Sequence, residues 1–158
     1  MDNELKKLIH AFRNALVMAA DTHSFGCFNM PRWSELNSFP HGCCDLASNF
    51  LAQYLTDHGY EPEIIWFECC EELNKYIKSH VVVRINDYYV DLTRNQFDDH
   101  NGRVLIEDKF GSIPRLIKQI KSMNSNNVED RNININTFNS SGYELYNYIK
   151  KIANNLIN

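Results

Sequence analysis

Apolar residues recur at three- and four-residue steps near the amino terminus, where Leu5, Leu8, Ile9, Phe12, Leu16 and Val17 alternate with Lys6, Lys7, Arg13 and Asn14. That spacing predicts a helix over about residues 3–20, buried along one stripe. Residues 21–42 break the period with Gly26, Pro31, Pro40 and Gly42 among scattered aromatics, and read as an irregular, packed loop. A second helix over about 43–58 buries Ala47, Phe50, Leu51, Tyr54 and Leu55. It ends at His58-Gly59, where glycine can adopt the left-handed conformation that closes a helix.

The period then changes. Glu63-Ile64-Ile65-Trp66-Phe67 has the β-branched and aromatic content of a strand, and residues 71–78 form a polar connection with room for one helical turn. His80-Val81-Val82-Val83-Arg84-Ile85 and Tyr88-Tyr89-Val90-Asp91-Leu92 flank Asn86-Asp87, a dipeptide suited to a two-residue hairpin turn. Val104-Leu105-Ile106 reads as a further strand, and Pro114 opens a short basic helix through Leu116, Ile117 and Ile120. Residues 122–141 are rich in Asn and Ser without a period, which reads as a long surface loop. Ser141-Gly142-Tyr143-Glu144 has capping-box spacing, and Leu145, Tyr148, Ile149, Ile152 and Leu156 stripe a last helix. These elements predict an α+β fold, with amino-terminal helices packed on a small antiparallel sheet.

Length and composition narrow this picture. At 158 residues and 44% hydrophobic, with no internal repeat, the chain has material for one core, so residues 1–158 are expected to form a single domain. Sixteen basic against twenty acidic residues give a net charge of -4, and no Lys or Arg run exceeds two. Nucleic acid is therefore not an expected partner. No apolar run approaches the roughly 20 residues of a membrane span, and the amino terminus lacks the pattern of an export signal, so no membrane partner is expected. Five cysteines, two adjacent pairs and one single, suit reduced thiols in a cytosol better than a disulfide framework. Secretion as an effector by a route without a standard signal peptide is the other expectation. Oligomeric state is left open.

Three residues stand where a thiol enzyme would need them. Cys44 lies at the mouth of the second helix, in Phe39-Pro40-His41-Gly42-Cys43-Cys44-Asp45, and His80 and Asp91 lie on the two hairpin strands. With Asn86 and Asp87 as the central turn residues, Ile85 faces Tyr88, Arg84 faces Tyr89, Val83 faces Val90 and Val82 faces Asp91. His80 then shares a face with Asp91, within the roughly 7–8 Å of diagonal neighbours. A slip of one residue would separate them. The opposite face is apolar, carrying Val81, Val83, Ile85, Tyr88, Val90 and Leu92. Imidazole can take a thiol's proton and be held in its tautomer by a carboxylate.

Helical phase separates the adjacent thiols, since Cys43 falls near the centre of the apolar stripe and Cys44 at its edge, where a nucleophile belongs. The first turn also leaves N–H groups unpaired and directs a partial positive charge at a thiolate. Blander uses exist for each residue. A cysteine at a helix start is often a small buried side chain, Asp91 can cap a turn at Thr93, and Arg84 can serve as its salt-bridge partner. Structural zinc favours cysteines two to four residues apart, and this chain has only adjacent pairs, so no metal is expected. Cys69 and Cys70 read as packing thiols, and Cys27 has no visible partner. His10, His23, His41, His58 and His100 have no paired carboxylate at a telling distance, although His41 is near the thiol.

The order of a helix-mouth Cys, a strand His and a following-strand Asp resembles the papain-like and transglutaminase-like thiol enzymes. More closely, Phe39-Pro40-x-Gly42-x-Cys44-x-x-x-Ser48, Ser79-His80 and Asp91-x-Thr93-x-x-Gln96-Phe97 resemble a set of small, mostly uncharacterised bacterial proteins of that superfamily. The resemblance spans residues 39–97 and implies a papain-like or transglutaminase-like fold, with Cys44 as nucleophile, His80 as general base and then acid, and Asp91 as the orienting carboxylate. Such proteins often carry Gly-Asp after the cysteine and an aromatic two residues after the histidine, where this chain has Asp45-Leu46 and Val82. Both differences fall on the pocket wall. Papain-like enzymes use a glutamine upstream of the cysteine as an oxyanion donor; here that stretch offers Asn37 and Ser38, so the Cys44 N–H is expected to serve with Asn37 as a helper.

The expected activity is attack on an amide of a protein or peptide substrate through an acyl-thioester, as a peptidase or a glutamine deamidase, with no metal or organic cofactor required. Transglutaminase-type amine transfer, a catalytically silent protein-binding module of the same fold, and an effector that deamidates a protein of a host or rival are the alternatives.

Overall fold

A computed structural model describes residues 1–21, 26–99 and 101–158. Its elements run α1 (Asn3–Ala20), α2 (Trp33–Leu36), α3 (Cys44–Asp57), β1 (Glu63–Glu68), β2 (Ser79–Ile85), β3 (Tyr88–Asp91), a 3-10 turn (Arg94–Gln96), β4 (Leu105–Glu107), α4 (Ser112–Met123), β5 (Val128–Arg131) and α5 (Tyr143–Ile157). The fold is α+β. Five antiparallel strands lie in the order β4-β3-β2-β1-β5.

Alternating strand positions give the sheet two buried faces. On one, Ile64, Val81, Val83, Ile85, Val90 and Leu92 join the apolar stripes of α1, α3 and α5 in the larger core. Phe12 of α1 stacks on Tyr54 of α3 at 4.8 Å, and the Tyr54 hydroxyl reaches Asn154 of α5. On the other, Ile65, Phe67 and Val82 meet Ile113, Leu116, Ile117 and Ile120 of α4. The face that carries His80, Arg84 and Asp91 is thus not a polar surface; α4 roofs it. Val82, among those polar residues, is what requires the roof.

Local chemistry accounts for most boundaries. Asp2 caps α1 by accepting from the Leu5 N–H at 2.7 Å. Val17, expected in the buried stripe, is 42% exposed, because the stripe continues through Ala15 and Ala19. Gly59, at φ +87°, closes α3 as expected, and Asn86, at φ +53°, turns the hairpin.

Five expectations need correction. The loop 21–42 contains the short helix α2, and residues 71–78 make turns without a helix, pinned where Asn74 accepts from the N–H groups of Tyr76 and Ile77. α4 begins at Ser112, two residues ahead of Pro114, which sits in the first turn where no intrahelical N–H bond is lost. Residues 122–141 contain β5, whose Val-Glu-Asp-Arg sequence has no apolar alternation because it is an edge strand, paired only with β1. No capping box starts α5: Gly142 is the cap, and Ser141 accepts from the Tyr143 N–H instead. Among the described residues, no helix is long and apolar enough to cross a membrane.

Candidate active site

The hairpin register is the expected one over Ile85↔Tyr88, Arg84↔Tyr89 and Val83↔Val90, and there the ladder stops. Asp91 pairs onward with Leu105 of β4 and not across to Val82. β2 therefore runs beyond β3 at its His80 end. The Val81 carbonyl, past the end of that ladder, accepts the Ser48 hydroxyl of α3 at 3.0 Å, which fixes the first turns of α3 against β2. Cys44 is the first residue of this 14-residue helix, and Cys43 is its N-cap. Gly42, at φ +67°, makes the turn into it, a conformation a side chain would strain.

Although the ladder ends early, His80 and Asp91 meet. His80 Nε2 lies 2.6 Å from Asp91 Oδ2, and each residue is 1% exposed. The other carboxylate oxygen accepts from the Thr93 N–H at 2.9 Å and the Thr93 hydroxyl at 3.1 Å. Asp91 thus caps a turn at Thr93 and holds the histidine at once, since a carboxylate has enough lone pairs for both. Arg84 is not its partner; it pairs with Glu63, directly opposite it on β1. Phe67 and Phe97 meet the imidazole edge to face, with centroids at 5.9 and 5.1 Å. Those contacts restrict the ring's tilt.

With Nε2 committed to Asp91, Nδ1 is the nitrogen left for a thiol. It is buried and has no hydrogen-bond partner, and Cys44 stands near enough to the ring to favour the imidazolium. Burial alone would lower the His80 pKa; the charge and hydrogen bond of Asp91, then Cys44, overcome it and raise the value from 6.5 to about 9. Cys43 is the contrast. It is buried in the larger core, and burial, followed by the charges of Cys44 and Glu35, pushes its thiol up to about 12. Cys44 is half-buried, at the stripe's edge where the helical phase placed it.

A buried arginine secures this helix mouth from the other side. Arg32, in the left-handed region at φ +70°, makes a two-pronged contact with Glu35 at 2.8 and 2.9 Å, donates to the Ile135 carbonyl at 2.7 Å and lies 3.6 Å from Asp45. It ties the loop before Cys44 to the carboxy-terminal segment.

Asn37 is not where an oxyanion helper is needed. It is exposed at the end of α2 and lines a cavity of about 450 Å³ with Arg13, Val17, Ala20, Asp21, Phe39, Pro40 and Arg103, a set that includes neither Cys44 nor His80. His58 bonds the Tyr54 carbonyl through Nδ1, and His23 and His100 lie outside the described residues. Cys69 and Cys70 follow β1, with Cys69 in the smaller core under α4, and Cys27 packs in the larger core with its thiol 3.4 Å from the Ala19 carbonyl. Among the described residues, no three His, Cys, Asp or Glu side chains are grouped so as to hold a metal.

One residue was visible in the sequence only as part of a pattern. Gln96 ends the 3-10 turn after Asp91-Leu92-Thr93, and its Oε1 accepts from the Gly42 N–H at 3.3 Å. The four buried side-chain polar atoms left without partners among the described residues are His80 Nδ1, Arg94 Nε, Asn95 Oδ1 and Gln96 Nε2. Native proteins leave few such atoms, and here they belong to His80 and the three residues of the turn that follows Thr93.

The chain matches no family model and no solved structure. It is 31% identical over 101 residues to the uncharacterized protein YuaU of Escherichia coli strain K12, and equally to its counterpart in strain UTI89. The match covers 63% of this chain and 45% of those proteins, so the chain spans under half the length of the curated relatives it matches.

Proposed function

We propose that this protein is a thiol enzyme of the papain-like or transglutaminase-like kind that cleaves an amide through an acyl-thioester, as a peptidase or glutamine deamidase. The observation that carries the reading is the buried 2.6 Å contact between His80 and Asp91, which leaves Nδ1 to a thiol at a helix tip. A structural histidine would be expected to use both ring nitrogens when buried; this one keeps one unpaired beside Cys44.

His80 takes the Cys44 proton, and the thiolate attacks the substrate carbonyl carbon. The carbonyl π pair moves to oxygen, then returns as the C–N bond breaks, and imidazolium Nδ1 delivers its proton to the departing amine or ammonia. Water resolves the thioester by the same route in reverse. Asp91 holds the ring and favours its protonated state throughout.

Two measurements test this reading. Iodoacetamide at neutral pH is expected to label Cys44 ahead of the other four cysteines, and to lose that preference in H80A. Incubation with a mixture of unfolded proteins, followed by mass spectrometry, is expected to show either new amino termini or glutamine converted to glutamate. Even labelling of all exposed thiols, independent of His80, would overturn the reading.

A further inference from the structure

We propose that the side-chain amide of Gln96 supplies, through Nε2, the second hydrogen-bond donor to the oxyanion that forms when Cys44 attacks a carbonyl. The inference rests on the thiol-enzyme reading above and names the donor that Asn37 does not provide.

Three observations carry it. The amide is anchored beside the nucleophile's loop, since Oε1 accepts from the Gly42 N–H, two residues before Cys44. A backbone N–H can only donate, so the atom it meets is the carbonyl oxygen and the free end of the amide is the NH₂ group. That NH₂ nitrogen is buried and has no partner. A donor without an acceptor inside a protein costs on the order of 1–3 kcal/mol, a cost that a site pre-organised for an absent anion would carry.

The position also follows from chain connectivity. Asp91 orients His80, Thr93 locks the Asp91 carboxylate, and the 3-10 turn Arg94–Gln96 follows at once, its Gln96 N–H bonded to the Thr93 carbonyl at 3.0 Å. Arg94 clamps the turn by a two-pronged pair with Asp99 at 2.6 and 2.7 Å, and lies over Phe97, which itself packs on the His80 ring. One short segment therefore delivers the orienting carboxylate, a wall of the imidazole site and the amide. The N–H of Cys44, in the first turn of α3, is the first donor. In the step itself the C–S bond forms, the carbonyl π pair becomes an oxygen lone pair held by both N–H groups, and its return expels the leaving amine.

The test separates this role from holding the loop. Alkylation by iodoacetamide needs the thiolate but forms no oxyanion, whereas acylation by p-nitrophenyl acetate needs both. In Q96A, acyl-thioester formation with p-nitrophenyl acetate is expected to fall by about 10- to 100-fold, with Cys44 alkylation within about twofold of the parent. Q96E keeps an acceptor for Gly42 and loses the donor, so it is expected to fall at least as far. Equal acylation by Q96A and the parent overturns the inference alone. A parallel loss of alkylation and acylation in both variants overturns it in favour of a purely structural role. Absence of any Cys44 thioester in the parent protein overturns the thiol-enzyme reading, and this inference with it.

Discussion

The chain contains the same dipeptide twice, and its two copies have unlike surroundings. Cys43-Cys44 opens α3 against the larger core; Cys69-Cys70 follows β1, with Cys69 in the smaller core under α4. In each pair one thiol is buried and the other half-buried. Cys69 donates to the Ile77 carbonyl at 2.5 Å, and burial, then the neighbouring Cys70, raises its pKa. The cavity beside it is lined by Glu68, Leu73, Ile120, Met123, Asn124 and Asn127, with no imidazole among them. Cys44 has a helix N-terminus behind it and the Nδ1 side of His80 in front. The comparison teaches that adjacency of thiols carries no chemistry; a nearby proton acceptor and a fixed positive end do.

The largest expected effect breaks the comparison outright. C44A should reduce turnover of any amide or ester substrate to background, whereas C70A should leave it within about twofold, measured on purified protein once a substrate is found. D91N comes next: loss of the carboxylate should lower turnover by about 10²-fold or more, because the ring loses its tautomer and its imidazolium its partner. A D91N protein with parental rates would remove the orienting role.

Titration sharpens the contrast further. The folded His80 pKa, about 9, lies above the free value of 6.5, so the pair with Asp91 contributes stability that is fully present below 6.5 and fades as pH rises through about 9. The Tm difference between the parent and H80Q should therefore be constant below about pH 6.5 and shrink as pH rises from there to about 9, by differential scanning calorimetry. A difference that grows with pH would contradict the assigned direction. The smallest effects belong to the second pair and to the brace under the first. C69A should cost about 1–2 kcal/mol in urea unfolding, through a small cavity and a lost contact to Ile77, with rates unchanged. S48A should cost a similar amount, on the order of 1 kcal/mol, and should lower turnover slightly because α3 loses its hold on the Val81 carbonyl.

Much of the scaffold was legible from short-range pattern. The stripes of α1, α3 and α5 and the hairpin register each depend on residues close in sequence, so the period and the turn dipeptide were sufficient. β5 was not legible because an edge strand of Val-Glu-Asp-Arg has no apolar alternation; its identity lies in hydrogen bonds to β1, some sixty residues away. The roof formed by α4 was half legible. Its apolar stripe is visible, but Val82 alone among His80, Arg84 and Asp91 gives too weak a signal of the surface it covers.

For the candidate site, the residue types Cys44, His80 and Asp91, their chain order and the shared face of the last two could be derived from the sequence itself, because helix phase and strand alternation are local geometry. Their meeting could not. It depends on β3 leaving β2 after Val83, so that α3 anchors on the Val81 carbonyl past the end of the ladder. The same long-range packing sent Asn37 to another cavity and brought Gln96 to Gly42 across 54 positions of chain. Contacts at that separation are set by the sum of core packing over the whole molecule, which no local window contains.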